Sequence, residues 1–199
     1  MAENQRYTTQ TKSNSGQEDI IYNNLYLLDI PKDDPDDFIL RLNPKTKQVR
    51  YSTQDYGVFI STQTQTCTAN VSSSFTYNIT EDASKIEVIN NSQIKVENKG
   101  VYNFQFSAQV YQTSGQAELY IWFKKNGINI INSATRMSVN HSSHTHYVAS
   151  WNYIISLNPE DTAEISYQSN SNNTTFPFIS ASGNIPGTPS IILTVTQVK

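Results

Sequence analysis

Lys99–Gln112 reads KGVYNFQFSAQVYQ, and its alternation decides the fold. Tyr102, Phe104, Phe106, Ala108 and Val110 fall on one side of an extended chain, and Asn103, Gln105, Ser107 and Gln109 fall on the other. Side chains of a strand point alternately to its two faces, so this pattern predicts a long β-strand with one face in a core. The second face is the unusual one. A strand facing bulk water ordinarily carries Lys, Glu or Thr, whereas this one offers amides and a hydroxyl. From Val101 to Phe123 the sole charged residue is Glu118.

The same short-period patterning continues on both sides. YGVFIST, TQTCTANV, FTYNITE, KIEVIN, SQIKVEN, AELYIWFKK, INIINSATRMSV, HYVASWNYIISL, DTAEISYQS and SIILTVTQV read as further strands, each bounded by Gly, Asn, Pro or Ser-rich turns. Lys124-Lys125-Asn126-Gly127 predicts a tight hairpin, because Asn-Gly accepts the positive φ angles of a type I′ turn. Asn158-Pro159-Glu160-Asp161 predicts a second turn. No segment carries a helical apolar stripe. About ten or eleven strands turned every 8 to 12 residues make an antiparallel sandwich or barrel, and the strand at the C-terminus suits an inner sheet position.

Composition agrees with an all-β protein whose exterior meets other protein. Only 16% of the 199 residues are charged, and the chain has 12 Tyr and 8 Phe. A net charge of −3 gives no basic footprint for nucleic acid or an anionic membrane. One cysteine, Cys67, excludes an internal disulfide and reads as a small buried residue in a strand. The first residues, MAENQRYTTQTKSNSGQ, show no apolar signal region, and no run is long enough to span a bilayer.

The first quarter of the chain differs from the rest. Residues 1–17 read as a flexible polar arm. Residues 18–55 combine a short apolar run, IIYNNLYLLDI, with the acidic PKDDPDDFILRL and the basic NPKTKQVRYS. This block reads as an extended segment that adheres to something. Asp33, Asp34, Asp36 and Asp37 lack the alternation, glycine and terminal Glu of a calcium loop, and Pro35 interrupts them. They read as a solvated turn.

Few residues invite chemistry. His141, His144 and His146 lie within HSSHTHY, but no carboxylate is nearby in sequence, so the stretch reads as a polar loop before a strand, with a metal site shared between subunits, one His from each, as the alternative. Trp122 and Trp151 read as buried strand aromatics, with a sugar-stacking platform as the alternative. There is no nucleophile elbow, no phosphate-cradling glycine loop and no His adjacent to Cys67 in sequence. No enzyme and no cofactor are expected.

Several pieces occur in a familiar order: TQTQT at Thr62–Thr66, Gly100-x-Tyr102-x-Phe104, Trp122 with Lys124-Lys125-Asn126-Gly127, Trp151-Asn152, Glu160-Asp161 and Pro189-Ser190. In this the chain resembles the C1q/TNF-like jelly-roll domains of virion proteins, in particular short structural proteins of marine bacteriophages and of large DNA viruses. The turn before residue 162 departs from the family, which commonly has Gly-Asp where this chain has Glu160-Asp161. The resemblance covers residues 56–198 and implies that residues 56–199 form an antiparallel jelly-roll sandwich that associates as a homotrimer.

The expected interface comprises Tyr102, Asn103, Gln105, Ser107, Gln109, Tyr111, Tyr120 and Trp122. Attachment to a particle is expected through Tyr22, Leu25, Tyr26, Leu27, Leu28, Phe38, Ile39 and Leu40. The implied role is a capsid decoration or minor capsid protein (cement or head fibre), located in the virion after assembly in the host cytoplasm. Its partner would be a major capsid, fibre or vertex protein. The rival readings are a fibre-tip module holding a receptor or host glycan through loops such as 140–146 and 168–188, and a pentameric vertex protein.

Overall fold

The computed structural model describes residues 54–142 and 145–199 in full, and in the N-terminal part the backbone of four short strands. Those four are β1 (Thr9–Lys12), β2 (Glu18–Ile21), β3 (Ile39–Leu42) and β4 (Val49–Ser52), with β1 antiparallel to β2 and β3 antiparallel to β4.

From Tyr56 onward the chain forms two facing antiparallel sheets. One contains β5 (Tyr56–Ser61), β6 (Gln65–Thr66), β8 (Ile79–Ser84), β11 (Gly100–Gln112), β15 (Tyr147–Leu157), β17 (Thr174–Phe176) and β18 (Ile191–Gln197). Across its middle the order is β8-β5-β18-β11-β15, with β6 and β17 continuing the ladder beyond β5 and β18. The second contains β7 (Ser73–Ser74), β9 (Ile86–Ile89), β10 (Gln93–Val96), β12 (Gln116–Lys125), β13 (Ile128–Asn129), β14 (Thr135–Asn140) and β16 (Thr162–Ser169). Its spine is β12-β16-β10-β9, with β13 and β14 on the outer side of β12 and β7 beside β16. This is the jelly-roll sandwich, and its C-terminal strand lies centrally between β11 and β5.

The alternation read in β11 is obeyed at each position from Tyr102 to Val110. Tyr102, Phe104, Phe106, Ala108 and Val110 are buried between the sheets. They meet Leu119, Ile121 and Phe123 of β12 and Ile165 and Tyr167 of β16 in one core. Aromatic rings fill its widest part. Phe75, Tyr167 and Phe176 lie with centroids 4.6–4.7 Å apart, Trp151 meets Phe106 edge-on at 4.6 Å, and Tyr153 stacks on Phe123 at 5.0 Å. Fully burying a ring such as that of Phe75 or Phe176 contributes about 1.5–3 kcal/mol.

The turns follow their chemistry. Asn126 and Gly127 join β12 to β13 with φ of 50° and 76°, the positive pair that a type I′ hairpin demands. Asn126 also ties this hairpin to the turn before β16, since its backbone N–H donates to the Thr162 carbonyl and its side-chain oxygen accepts from Thr162 N–H.

The chain enters the sandwich through a buried carboxylate. Asp55 is fully enclosed, and its oxygens accept from Asn98 Nδ2 at 3.0 and 3.1 Å and from the Tyr102 hydroxyl at 3.0 Å. Its carbonyl accepts from Gln197 N–H, so entry and exit of the domain are bound together.

Three expectations need correction. INIINSATRMSV is not one strand but β13 and β14, separated by a turn in which Asn132 takes a φ of 62°. Cys67, Phe75 and Tyr77 are core residues but lie just outside strands, because irregular chain there dips inward to close the sandwich edge. β17, inside what reads as a long loop, extends the first sheet beyond β18.

Candidate subunit interface

The outward face of the first sheet can be built row by row from its register. Tyr56, Thr196, Asn103 and Ile154 lie abreast across β5, β18, β11 and β15. Val58, Thr194, Gln105 and Asn152 make the next row, followed by Ile60, Ile192, Ser107 and Ser150. Gln109 and Val148 come next on β11 and β15, and Tyr111 then lies abreast of Thr175 and Thr66. Directly opposed residues of antiparallel strands share a face, so these rows form one continuous surface.

That surface holds no charge. β5, β11, β15 and β18 together contain 37 residues (6, 13, 11 and 7) without one Asp, Glu, Lys, Arg or His. It is also partly apolar: Val148 and Ile154 are each 57% exposed and Ile192 and Tyr56 each 38%. The amides find one another, as where Asn152 Nδ2 donates to Asn103 Oδ1 at 3.0 Å. Charge begins only at the β8 margin. There Asp82 accepts from the Tyr56 hydroxyl at 3.3 Å, and the negative carboxylate, aided by burial and this hydrogen bond, pushes the phenol up from its ordinary range.

The second sheet is the opposite. β9, β10, β12, β14 and β16 carry Glu87, Lys95, Glu118, Lys124, Lys125, Arg136 and Glu164. Lys95 bridges Glu87 at 3.2 Å and Glu160 at 2.7 Å, and Arg136 lies 3.5 Å from Glu118. Glu164, on the same side, is buried and accepts from Ser74 Oγ and Gln93 Nε2. The sandwich thus has one charged side and one side whose charge is confined to the β8 margin.

The sequence-predicted interface residues divide between these two sides and the core. Asn103, Gln105, Ser107, Gln109 and Tyr111 share the neutral face. Tyr102 does not, because its side chain is fully buried and its hydroxyl is committed to Asp55 and to the Asn98 carbonyl at 2.7 Å. Tyr120 and Trp122 lie on the outer side of the charged sheet, the opposite surface of the molecule. Trp122 is also not the buried aromatic expected, since it lies outside the core and its indole N–H donates to Asn129 Oδ1 at 2.8 Å. The face also contains residues that reading one strand alone misses: Tyr56, Val58, Ile60, Val148, Ile154, Ile192 and Thr194. The absence of charge from YGVFIS, YVASWNYIISL and IILTVTQ is the signal that finds them.

Two histidines border the upper end of this face. His146 stacks on the Tyr111 ring with centroids 5.0 Å apart, while His141 meets the same ring edge-on at 6.4 Å and pairs through Nδ1 with the Gln112 carbonyl at 3.0 Å. His144 lies outside the described residues, and among those described no three His, Cys, Asp or Glu side chains are grouped to hold a metal. Tyr22, Leu25, Tyr26, Leu27, Leu28 and Phe38 also lie outside them, whereas Ile39 and Leu40 fall on β3.

No protein-family model matches the chain, and no curated sequence relative does. Solved structures of similar chain path include the globular domain of zebrafish complement 1qA protein, 13% identical, with 74% of this chain and 98% of that one covered at a TM-score of 0.48. Crystal structures of murine APRIL at pH 8.0 and 8.5 are 6% and 7% identical and cover 73% of this chain and 100% of theirs, each at a TM-score of 0.47.

Proposed function

We propose that the protein is a non-enzymatic structural component of a virus particle, a trimeric jelly-roll knob that decorates the capsid and is anchored by its N-terminal segment. The observation that carries the reading is the partition of charge between the two sheets. A face of amides, hydroxyls and scattered Ile, Val and Tyr is less costly to bury than one carrying ions. Amides satisfy one another across an interface with less desolvation than ions, and interface cores are depleted of charge. The virion context comes from the resemblance of residues 56–198, and the threefold arrangement is what that resemblance implies for such a face.

The mechanism is reinforcement through linked contacts. Three N-terminal arms on one trimer engage neighbouring coat subunits together, and each bound arm raises the effective concentration of the others. Deleting residues 1–50 tests the tether: the expected product is a folded trimer that no longer joins particles, and normal incorporation of the truncated protein contradicts it. Copy number on purified particles separates cement from its rivals. Decoration gives hundreds of copies, a vertex position about 60 and fibre tips far fewer, because closed symmetry fixes each class.

A further inference from the structure

The outer face of the charged sheet departs from an ordinary water-facing surface in two ways, side by side. The first departure is aromatic. Tyr120 is 38% exposed and Trp122 is half-buried on the same side of β12, two residues and so roughly 7 Å apart along the strand. The indole N–H bond to Asn129 Oδ1 fixes the Trp122 ring, and the register sets Tyr120 abreast of Arg136 and Gln168.

The second departure is a buried acid. Glu164 is 8% exposed yet forms no ion pair among the described residues. Neutral donors hold it instead: Oε2 accepts from Ser74 Oγ at 2.9 Å and Oε1 from Gln93 Nε2 at 3.1 Å. Those donors are anchored in turn, Ser74 by Ser166 Oγ at 2.9 Å and Gln93 by Asn90 Nδ2 at 3.0 Å. Each carboxyl oxygen offers two lone pairs, so these bonds leave acceptor capacity on both. Trp122 lies directly opposite Ser166, which places Glu164 on its diagonal, roughly 7–8 Å away and within reach of one ligand ring.

We propose that this face binds a neutral carbohydrate chain, with one pyranose ring stacked on Trp122, a neighbouring ring on Tyr120, and rim hydroxyls donating to Glu164. The faces of a pyranose are lined with C–H groups that suit the negative face of an aromatic ring, and its rim carries hydroxyls that both donate and accept. Other ligand classes fit less well. An apolar peptide or a lipid would strip water from Glu164 and its amide partners without replacing it. A phosphate or sulfate chain would meet Glu118 and Glu164, while a cationic chain would meet Lys124 abreast of Glu164 and Arg136 abreast of Tyr120. An uncharged polyol meets no like charge. Because Trp122 and Glu164 are already held by bonds within the sheet, little side-chain ordering remains to oppose binding.

The site is built from one chain and lies on the sheet opposite the neutral face, so it does not depend on the trimer. If the neutral faces do pack together, this is the sheet left to meet other molecules. It also differs in place from the loops at 140–146 and 168–188, since its central residues lie on β12 and β16.

Calorimetric titration of the full-length protein with neutral hexasaccharides of glucose, mannose, galactose and N-acetylglucosamine tests this, together with the indole N–H signals of Trp122 and Trp151 in NMR spectra. The expected result is that at least one hexasaccharide binds and shifts the Trp122 signal while leaving that of Trp151 in place. Trp122→Ala and Tyr120→Ala should each weaken binding by at least about tenfold with an unchanged circular dichroism spectrum, since both rings lie outside the core. Failure of all four sugars to bind overturns the proposal, as does binding that survives both alanine variants. Binding of a heparin hexasaccharide alone also overturns it, because that result would assign the face to its cations. Light scattering on the same samples keeps this site apart from the assembly: a sugar-binding monomer contradicts the trimer and leaves the site standing, and a trimer that binds none of the sugars does the reverse.

Discussion

Cys67 is 5% exposed, and burial alone pushes its thiol up to about 12. Since the thiolate is the reactive form, the native protein should be inert to thiol reagents at pH 8 and react at the rate of global unfolding, a contrast that a colorimetric thiol assay with and without denaturant reads directly. Rapid labelling of the folded protein would contradict the packing described. Asp55 makes the stronger residue-scale demand. Asp55→Ala removes the acceptor of the Asn98 amide and one partner of Tyr102, whose hydroxyl keeps the Asn98 carbonyl. A loss of about 1–3 kcal/mol in denaturant unfolding is expected, because a buried donor is left without its partner. Sequence showed Tyr102 facing the core but gave no sign of this carboxylate, since the contact joins residues 47 positions apart.

For β11, β12, β15 and β18, alternation alone was sufficient to find the strand, because one face of each packs on the core and constrains its side chains, and β16 alternates in sequence although both its faces are largely buried. Where no face is consistently buried, the signal fails. Ser73–Ser74 and Thr174–Phe176 are too short to show a period, and Asn132 breaks an apolar run that looks continuous on paper. The neutral face was half legible. β11 announced it, whereas its extent depends on register, which decides that Tyr120 and Trp122 look the other way. A charge placed at its centre tests the element. Ser107→Lys points outward between Ser150 and Ile192, so the monomer should fold as before, with an unchanged circular dichroism spectrum. Self-association should weaken by at least about tenfold, because each copy would bury an unpaired ammonium. Lys95→Gln on the opposite sheet should leave association unchanged while removing only surface ion pairs.

Across the whole molecule, the partition of charge also sets its response to acid. Asp161 is held well below the usual carboxylate range, first by the Lys125 ammonium and then by Asn126 and the Asn158 backbone. The salt bridge to Lys125 is 2.8 Å long, and through it the turn before β16 is joined to the β12–β13 hairpin and the edge of β15. A folded carboxylate that ionises more readily than the unfolded one stabilises above the unfolded value near 3.8 and loses that contribution as pH falls below it. Melting temperature should therefore drop below about pH 4, and Asp161→Asn should lower it near neutrality while flattening part of the acid slope. The neutral face has no such dependence, so association should persist through the same pH range.

The central claim is that the uncharged sheet meets other copies of itself, and the mass of the purified protein in solution tests it most directly. Light scattering should give three times the 22.5 kDa chain, and a mass equal to one chain at micromolar concentration would contradict the account.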